Sequence, residues 1–530
     1  MGRLPRRVRL LVLFAALATA LAVFGRPDEA IASRRAHVST ASASGAALSA
    51  PVPYVVKRAG RHFAGPKPPS PKSCGCYEPA QFQAYYDLPI LYRFHLDGAG
   101  ETIVIVECFG SPTIRADLAT FDAAFHLPAP PKFSIITPAG RVTWRDNSAE
   151  QGWADETSLD VEYAHAIAPG ANILLVETPV DETEGPAGFR QIVEAENYVI
   201  SHHLGQVISQ SFGATEETFG KHFARAIMPF RSALIAAQKA GVTVVSASGD
   251  NGVTSPSNVS ATHYYLRRVN SWPSSDPLVT SVGGLQLYLN PNGVTKRPAS
   301  VWNETGQFGT PSAGGGGDSA VFPAPAFQAP VASVVGNWRG TPDISMSASA
   351  FNNGALVYEN YPGGSGWTPI GGTSEATPEF AGIVAIADQL AGRSLGDINP
   401  ALYAMAADGD PGIVPITHGN NSVDFLQGAQ DVSIPGYRAD TTAAAATFGL
   451  RPVPYSMAAG LGTVDAALFV PELANEAASL SAHSTAPSHR HTYLIALLAA
   501  SICLILLVVA MTLLVRSRRR SRPVVAETAA

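Results

Sequence analysis

The sequence predicts an α/β domain built on a parallel sheet flanked by helices, with a C-terminal transmembrane helix after it. Three observations carry this reading. Short β-branched runs alternate with helix-period runs through the first half of the chain; 46% hydrophobic residues over 530 positions can fill a large core; and 493–515 is a 23-residue apolar stretch.

Taken in order, Arg3, Arg6, Arg7 and Arg9 precede the apolar run Leu10–Phe24. That pattern makes 1–32 a signal peptide with small residues for cleavage after Ala22 or Ala32, or an uncleaved signal anchor. Residues 33–75 mix Ala, Ser, Pro and basic residues without a period, so a flexible leader is expected there and a folded domain from residue 76. Thr102–Val106 is a β-branched run suited to a strand covered on both faces. The pattern then gives helix over 155–168, strand over 172–177, helix over 189–203, strand over 207–211, helix over 219–240 and strand over 242–246. In open parallel sheets ligands bind beyond the carboxyl ends of the strands, so residues just past those runs become candidates. Gly314–Gly317 is either a flexible surface loop or a backbone wall beside a cleft. A helical pattern resumes over 377–391, the domain is expected to end at 474, and 475–492 is a polar, Ala/Ser-rich stalk. The span 493–515 would be roughly 34 Å long at about 1.5 Å per residue, enough for a hydrocarbon core. Five arginines in the tail 516–530 put that tail in the cytoplasm and the domain outside, on a cell membrane crossed once.

A net charge of -6, with basic clusters confined to the two ends, excludes nucleic acid as an expected partner. Of four cysteines, Cys503 lies in the apolar span. The external three, Cys74, Cys76 and Cys108, suggest one disulfide from Cys108 to Cys74 or Cys76, with one thiol left over.

The chemistry centres on Gly371-Gly372-Thr373-Ser374-Glu375-Ala376-Thr377-Pro378, a sharp turn into a helix. Ser374 is there either as an N-cap or as a nucleophile beside unpaired helix N–H groups that would hold an oxyanion. No His-Gly-Thr helix start supplies a histidine base. Glu156 and Asp160 lie four apart on one helix face, either solvated or sharing a proton so that one accepts the serine proton while the other steadies it. Asp250, in Ser248-Gly249-Asp250-Asn251-Gly252 after a strand, is a turn former or a crevice residue.

Together, Gly372-Thr373-Ser374 with Pro378, Glu156 and Asp160 followed by His165-Ala166-Ile167-Ala168-Pro169-Gly170-Ala171, and Ser248–Gly252 resemble the sedolisin family of serine-carboxyl peptidases. Ile208–Gly213, Trp272–Ser275, Ser300–Glu304, Arg339–Ile344 and Gly460–Thr463 extend the likeness over most of 76–474. The resemblance implies a subtilisin-like fold and endopeptidase action on peptides or proteins at acid pH. Ser374 would attack, Glu156 act as general base then acid, Asp160 support Glu156, and a protonated Asp250 complete the oxyanion hole. His165 matches a family position without a catalytic role. A tripeptide-releasing exopeptidase and a silent surface-binding protein of the same fold are the rival expectations. No cofactor is expected: the family's calcium carboxylates are replaced by Pro415 and Ser456, which should weaken or abolish that site. The roughly 45 residues between the expected cleavage region and residue 76 are too few for the family's folded activation domain.

Overall fold

The β-branched run at 102–106 forms an interior strand, Thr102–Cys108, in the computed structural model, which describes residues 56–57, 61–440 and 452–485. Asn172–Thr178 flanks it in parallel on one side and Val207–Gln210 on the other, with Val104 opposite Leu174 and Ile208. Phe133–Ile136 extends the sheet beyond the first neighbour; Thr243–Ala247 and Thr280–Gln286 extend it beyond the second. Ile344–Ser347 adds a further parallel strand, and only Ser300–Val301 runs antiparallel. The predicted parallel sheet is therefore present.

Because side chains alternate along a strand, Ile103 and Ile105 enter one core while Val104 and Val106 enter the other. The helices Ser148–Ile167 and Thr373–Ala391 fill the first core; Pro186–Ser201 and Ser232–Ala240 cover the opposite face. The first of these starts earlier than its apolar pattern suggests. Asn147 caps it, its Oδ1 accepting from the N–H groups of Ala149 and Glu150 at 3.0 Å each. The single helix expected over 219–240 is broken into Glu216–Phe219, Phe223–Ile227, Met228–Arg231 and Ser232–Ala240. Gly220, at φ 94°, and Pro229, which has no N–H to donate, explain the interruptions.

Three further expectations are corrected. The leader is not wholly loose: Val56–Lys57 pairs antiparallel with Gly366–Gly371, and Phe63 exchanges backbone hydrogen bonds with Trp367 at 2.9 and 2.8 Å. An edge strand with unpaired N–H and C=O groups holds an extended segment in this way. The disulfide joins Cys74 to Cys76, and Cys108 is free and buried. Gly75, left-handed at φ 59°, turns the chain so that its neighbours meet, while Cys108 is fixed at the end of an interior strand. The final helix, Ala466–Thr485, runs past the boundary expected at 474 and buries Ala477. Among the described residues no helix is long and apolar enough to cross a membrane; the signal segment 1–32, the span 493–515 with its Cys503, and the tail 516–530 lie outside them.

Candidate active site

The strand Gly366–Gly371 leads through Gly372, at φ 115°, into the helix Thr373–Ala391, so Ser374 occupies the first turn and is fully buried. Pro378 stands four residues on. Lacking an N–H, it cannot donate to the Ser374 carbonyl, and the first turn stays open on that side. The serine helix crosses the helix Ser148–Ile167 at Gly382, where a Cβ would come within 2.8 Å of Ile167 Cγ2. That close approach sets Glu156 opposite Ser374.

Neither Glu156 oxygen has a hydrogen bond of ordinary geometry, yet the Ser374 hydroxyl is near enough to pull the carboxyl's pKa down. Burial and the charges of Asp160, Asp250 and Glu182 act the other way and win, holding Glu156 well above the usual carboxylate range. One turn on, Asp160 Oδ2 accepts from Ser211 Oγ at 2.6 Å. Burial pushes Asp160 up to about 7, while hydrogen bonds with Ser211, Glu107 and Glu156 moderate the rise. The pair is buried rather than solvated, and two carboxyls in such contact share a proton, which leaves one oxygen of the pair to accept another.

Asp250 follows the strand Thr243–Ala247 and reaches the same turn from the other side. Its Oδ1 accepts from Thr373 N–H at 2.7 Å and Thr373 Oγ1 at 2.8 Å; its Oδ2 has no protein partner. Burial raises the carboxyl to about 7 against those two bonds, which leaves Oδ2 as the oxygen to carry the proton. A cavity beside it is lined by Gly249, Asn251, Gly252, Gly315 and Gly316. Gly314–Gly317 is thus a backbone wall: Gly315 N–H donates to Gly249 O at 2.6 Å, and a Cβ on Gly315 would lie 2.2 Å from Ser248 O. All four predicted residues, Ser374, Glu156, Asp160 and Asp250, are brought together.

His165 lies apart from them, its Nε2 bonded to Pro128 O at 2.7 Å, and burial lowers it to about 4. Glu107 was missed. It is the last residue but one of the strand Thr102–Cys108, is fully buried, and is held well above its ordinary range by burial and by Asp160 and Glu156. The strand-end argument that picked out Asp250 applies to it equally. A second buried acid pair, Glu375 and Glu379, has the same spacing on the serine helix itself, but its electrostatic partners include Glu304 and its hydrogen-bond partner is Tyr86, at 2.8 Å from Glu379.

The Subtilase family matches residues 139–436, more than half of the chain. The chain belongs to that family. Among subtilases it is similar to kumamolisin from a Bacillus species, 30% identical over 64% of this chain and 57% of the relative. It is also 28% identical to the tripeptidyl-peptidase sed4 of Aspergillus fumigatus, over 56% of this chain and 50% of the relative. The chain therefore spans about half the length of these curated relatives. The solved structure of Pseudomonas sedolisin, a serine-carboxyl proteinase complexed with two molecules of pseudo-iodotyrostatin, superposes with a TM-score of 0.61. It is 26% identical and the match covers 76% of this chain and 98% of that one. Within the subtilases, then, this chain is similar to sedolisin in both sequence and fold.

Proposed function

We propose that this subtilase is a serine-carboxyl endopeptidase that hydrolyses peptide bonds in proteins at acid pH. One observation carries the reading: Ser374 faces Glu156 on one side, and on the other its neighbour Thr373 binds Asp250 Oδ1 and leaves Asp250 Oδ2 unpartnered. Glu156 and Asp160 then receive the serine proton as Ser374 attacks the carbonyl carbon, and return it to the leaving amine. The neutral Asp250 donates to the oxyanion, with helix N–H groups beside it. Fragment mapping of an unstructured protein digested at pH 4 by the full chain and by Ser374→Ala tests this. Internal cuts made only by the wild type are expected; equal digestion by both would end the proposal. Stepwise release of N-terminal tripeptides would instead favour the exopeptidase reading, which the likeness to a tripeptidyl-peptidase supports.

The proposal includes no calcium. At Pro415 there is no side-chain donor, Ser456 Oγ accepts from Ala459 N–H at 3.2 Å, and Asn421 Oδ1 accepts from Tyr437 N–H at 2.8 Å. A hard dication needs several oxygens with charge among them, and this set offers none with charge. A melting temperature unchanged by a chelator is expected; a fall of several degrees would restore the metal. The further proposal that residues 493–515 tether the enzyme to the outer face of a membrane rests on the apolar stretch and its following arginines, and is tested by protease shaving of intact cells.

A further inference from the structure

The strand that carries the chain into Ser374 has an occupied edge. Val56 pairs with Gly371 and Lys57 with Ile370, antiparallel, so moving from Lys57 to Val56 is moving toward the nucleophile. A peptide laid on this edge in that direction would offer its more N-terminal residues to Ser374. The residue in Lys57's place therefore belongs to the part of a substrate that lies C-terminal to the cleaved bond.

Lys57 is not simply packed there. Its Nζ donates to Glu359 Oε1 at 3.1 Å and Oε2 at 3.3 Å and pairs with Asp155, the residue preceding the base Glu156. Both acids are buried, the side chain of Glu359 2% exposed and that of Asp155 11%, whereas that of Lys57 is 29% exposed. The domain supplies the rest of the site: Tyr361 donates its hydroxyl to Asp155, and Thr368 Oγ1 donates to Glu359 Oε1 at 2.9 Å. Burial and Glu359 push Asp155 up to about 8, with Lys57 acting the other way. Two buried carboxyls converging on one ammonium, each held in place by the domain's own hydroxyls, make a seat for one cation.

We infer that Asp155 and Glu359 form a subsite for a lysine or arginine located C-terminal to the cleaved bond, and that Lys57 of the leader is its internal occupant. This rests on the peptidase reading for its place relative to a cleaved bond, but the seat itself is open to a binding measurement. The leader and a basic substrate then compete for one edge, so an enzyme with Lys57 in place is partly self-blocked.

Two measurements on the full chain test it. Peptides identical except for Lys or Ala, scanned through the first residues after the cleaved bond at pH 5, should differ in kcat/KM by about tenfold or more at one position. In Asp155→Asn/Glu359→Gln that ratio should fall to about one. Independently of catalysis, the Ser374→Ala/Lys57→Ala chain should bind the lysine peptide about tenfold more tightly than the alanine peptide by fluorescence anisotropy, and adding the two acid substitutions should remove the difference. Equal binding of the two peptides would mean that the acids only anchor the leader, and would overturn the inference. A binding preference without cleavage by the wild type would leave the subsite standing and remove the peptidase reading alone.

Discussion

At the scale of single residues, the proposed mechanism makes Asp250 the group that sets the pH range. A raised carboxyl pKa means that the neutral form persists to higher pH than in water, so the donor on Oδ2 is present below about 7 and is lost as pH rises through that value. Activity is therefore expected to fall across neutrality, and kcat against pH measures it; undiminished turnover at pH 8 would refute the role. Asp250→Ala should lower kcat by about 10²–10³, the usual cost of one oxyanion donor. Asp250→Asn keeps an N–H donor at every pH, so whatever activity it retains should lack the fall near neutrality. These residues were legible because their types and order are unusual together: a serine in a glycine turn, two acids four apart and an acid after a strand. Glu107 was not, because a run ending in Val-Glu-Cys reads as strand and only the sheet shows that its last acid points to Asp160.

Between elements, the site depends on how closely two helices approach. A Cβ placed on Gly382 would lie 2.9 Å from Ile167 Cβ and 2.8 Å from its Cγ2, closer than any side chain at 382 fits without movement. Gly382→Val should destabilise the fold by about 1–3 kcal/mol, as overpacked cores do, read from denaturant midpoints. It should also lower kcat by more than that loss of folded protein explains, because the Glu156 helix is pushed away from Ser374. Ile167→Ala in the same chain should recover part of both. Strands and helices of this sheet were readable from periodicity, since hydrophobic runs must meet two covered faces. The break at Gly220 and Pro229 and the early start at Asn147 were less so, because apolar spacing locates the buried face of a helix and says little about its ends. The leader strand escaped for another reason. Val56–Lys57 has no strand pattern of its own, and is extended because a sheet edge and two acids elsewhere in the chain receive it.

For the molecule as a whole, the number of buried acids argues for a fold that is most stable in acid. Asp160, Glu196, Glu216 and Asp250 are raised to about 7 and Asp155 and Asp388 to about 8, in every case chiefly by burial. In the unfolded chain the same groups titrate near 4. Between these values the folded state holds protons that the unfolded state has released, so stability falls as pH rises from about 4 to about 8 and is fullest below that window. Each such proton is worth about 1.4 kcal/mol per pH unit, which the partial relaxation of buried charge reduces. For a domain of this size the sum should appear as a drop in melting temperature on the order of 10 °C between pH 4.5 and pH 8. Ser374→Ala is the chain to use in the calorimeter, since it cannot digest itself during the scan. A melting temperature that rises across that interval would mean that the buried carboxyls ionise with partners in place, and would remove the physical basis for an acid enzyme along with that of a neutral Asp250.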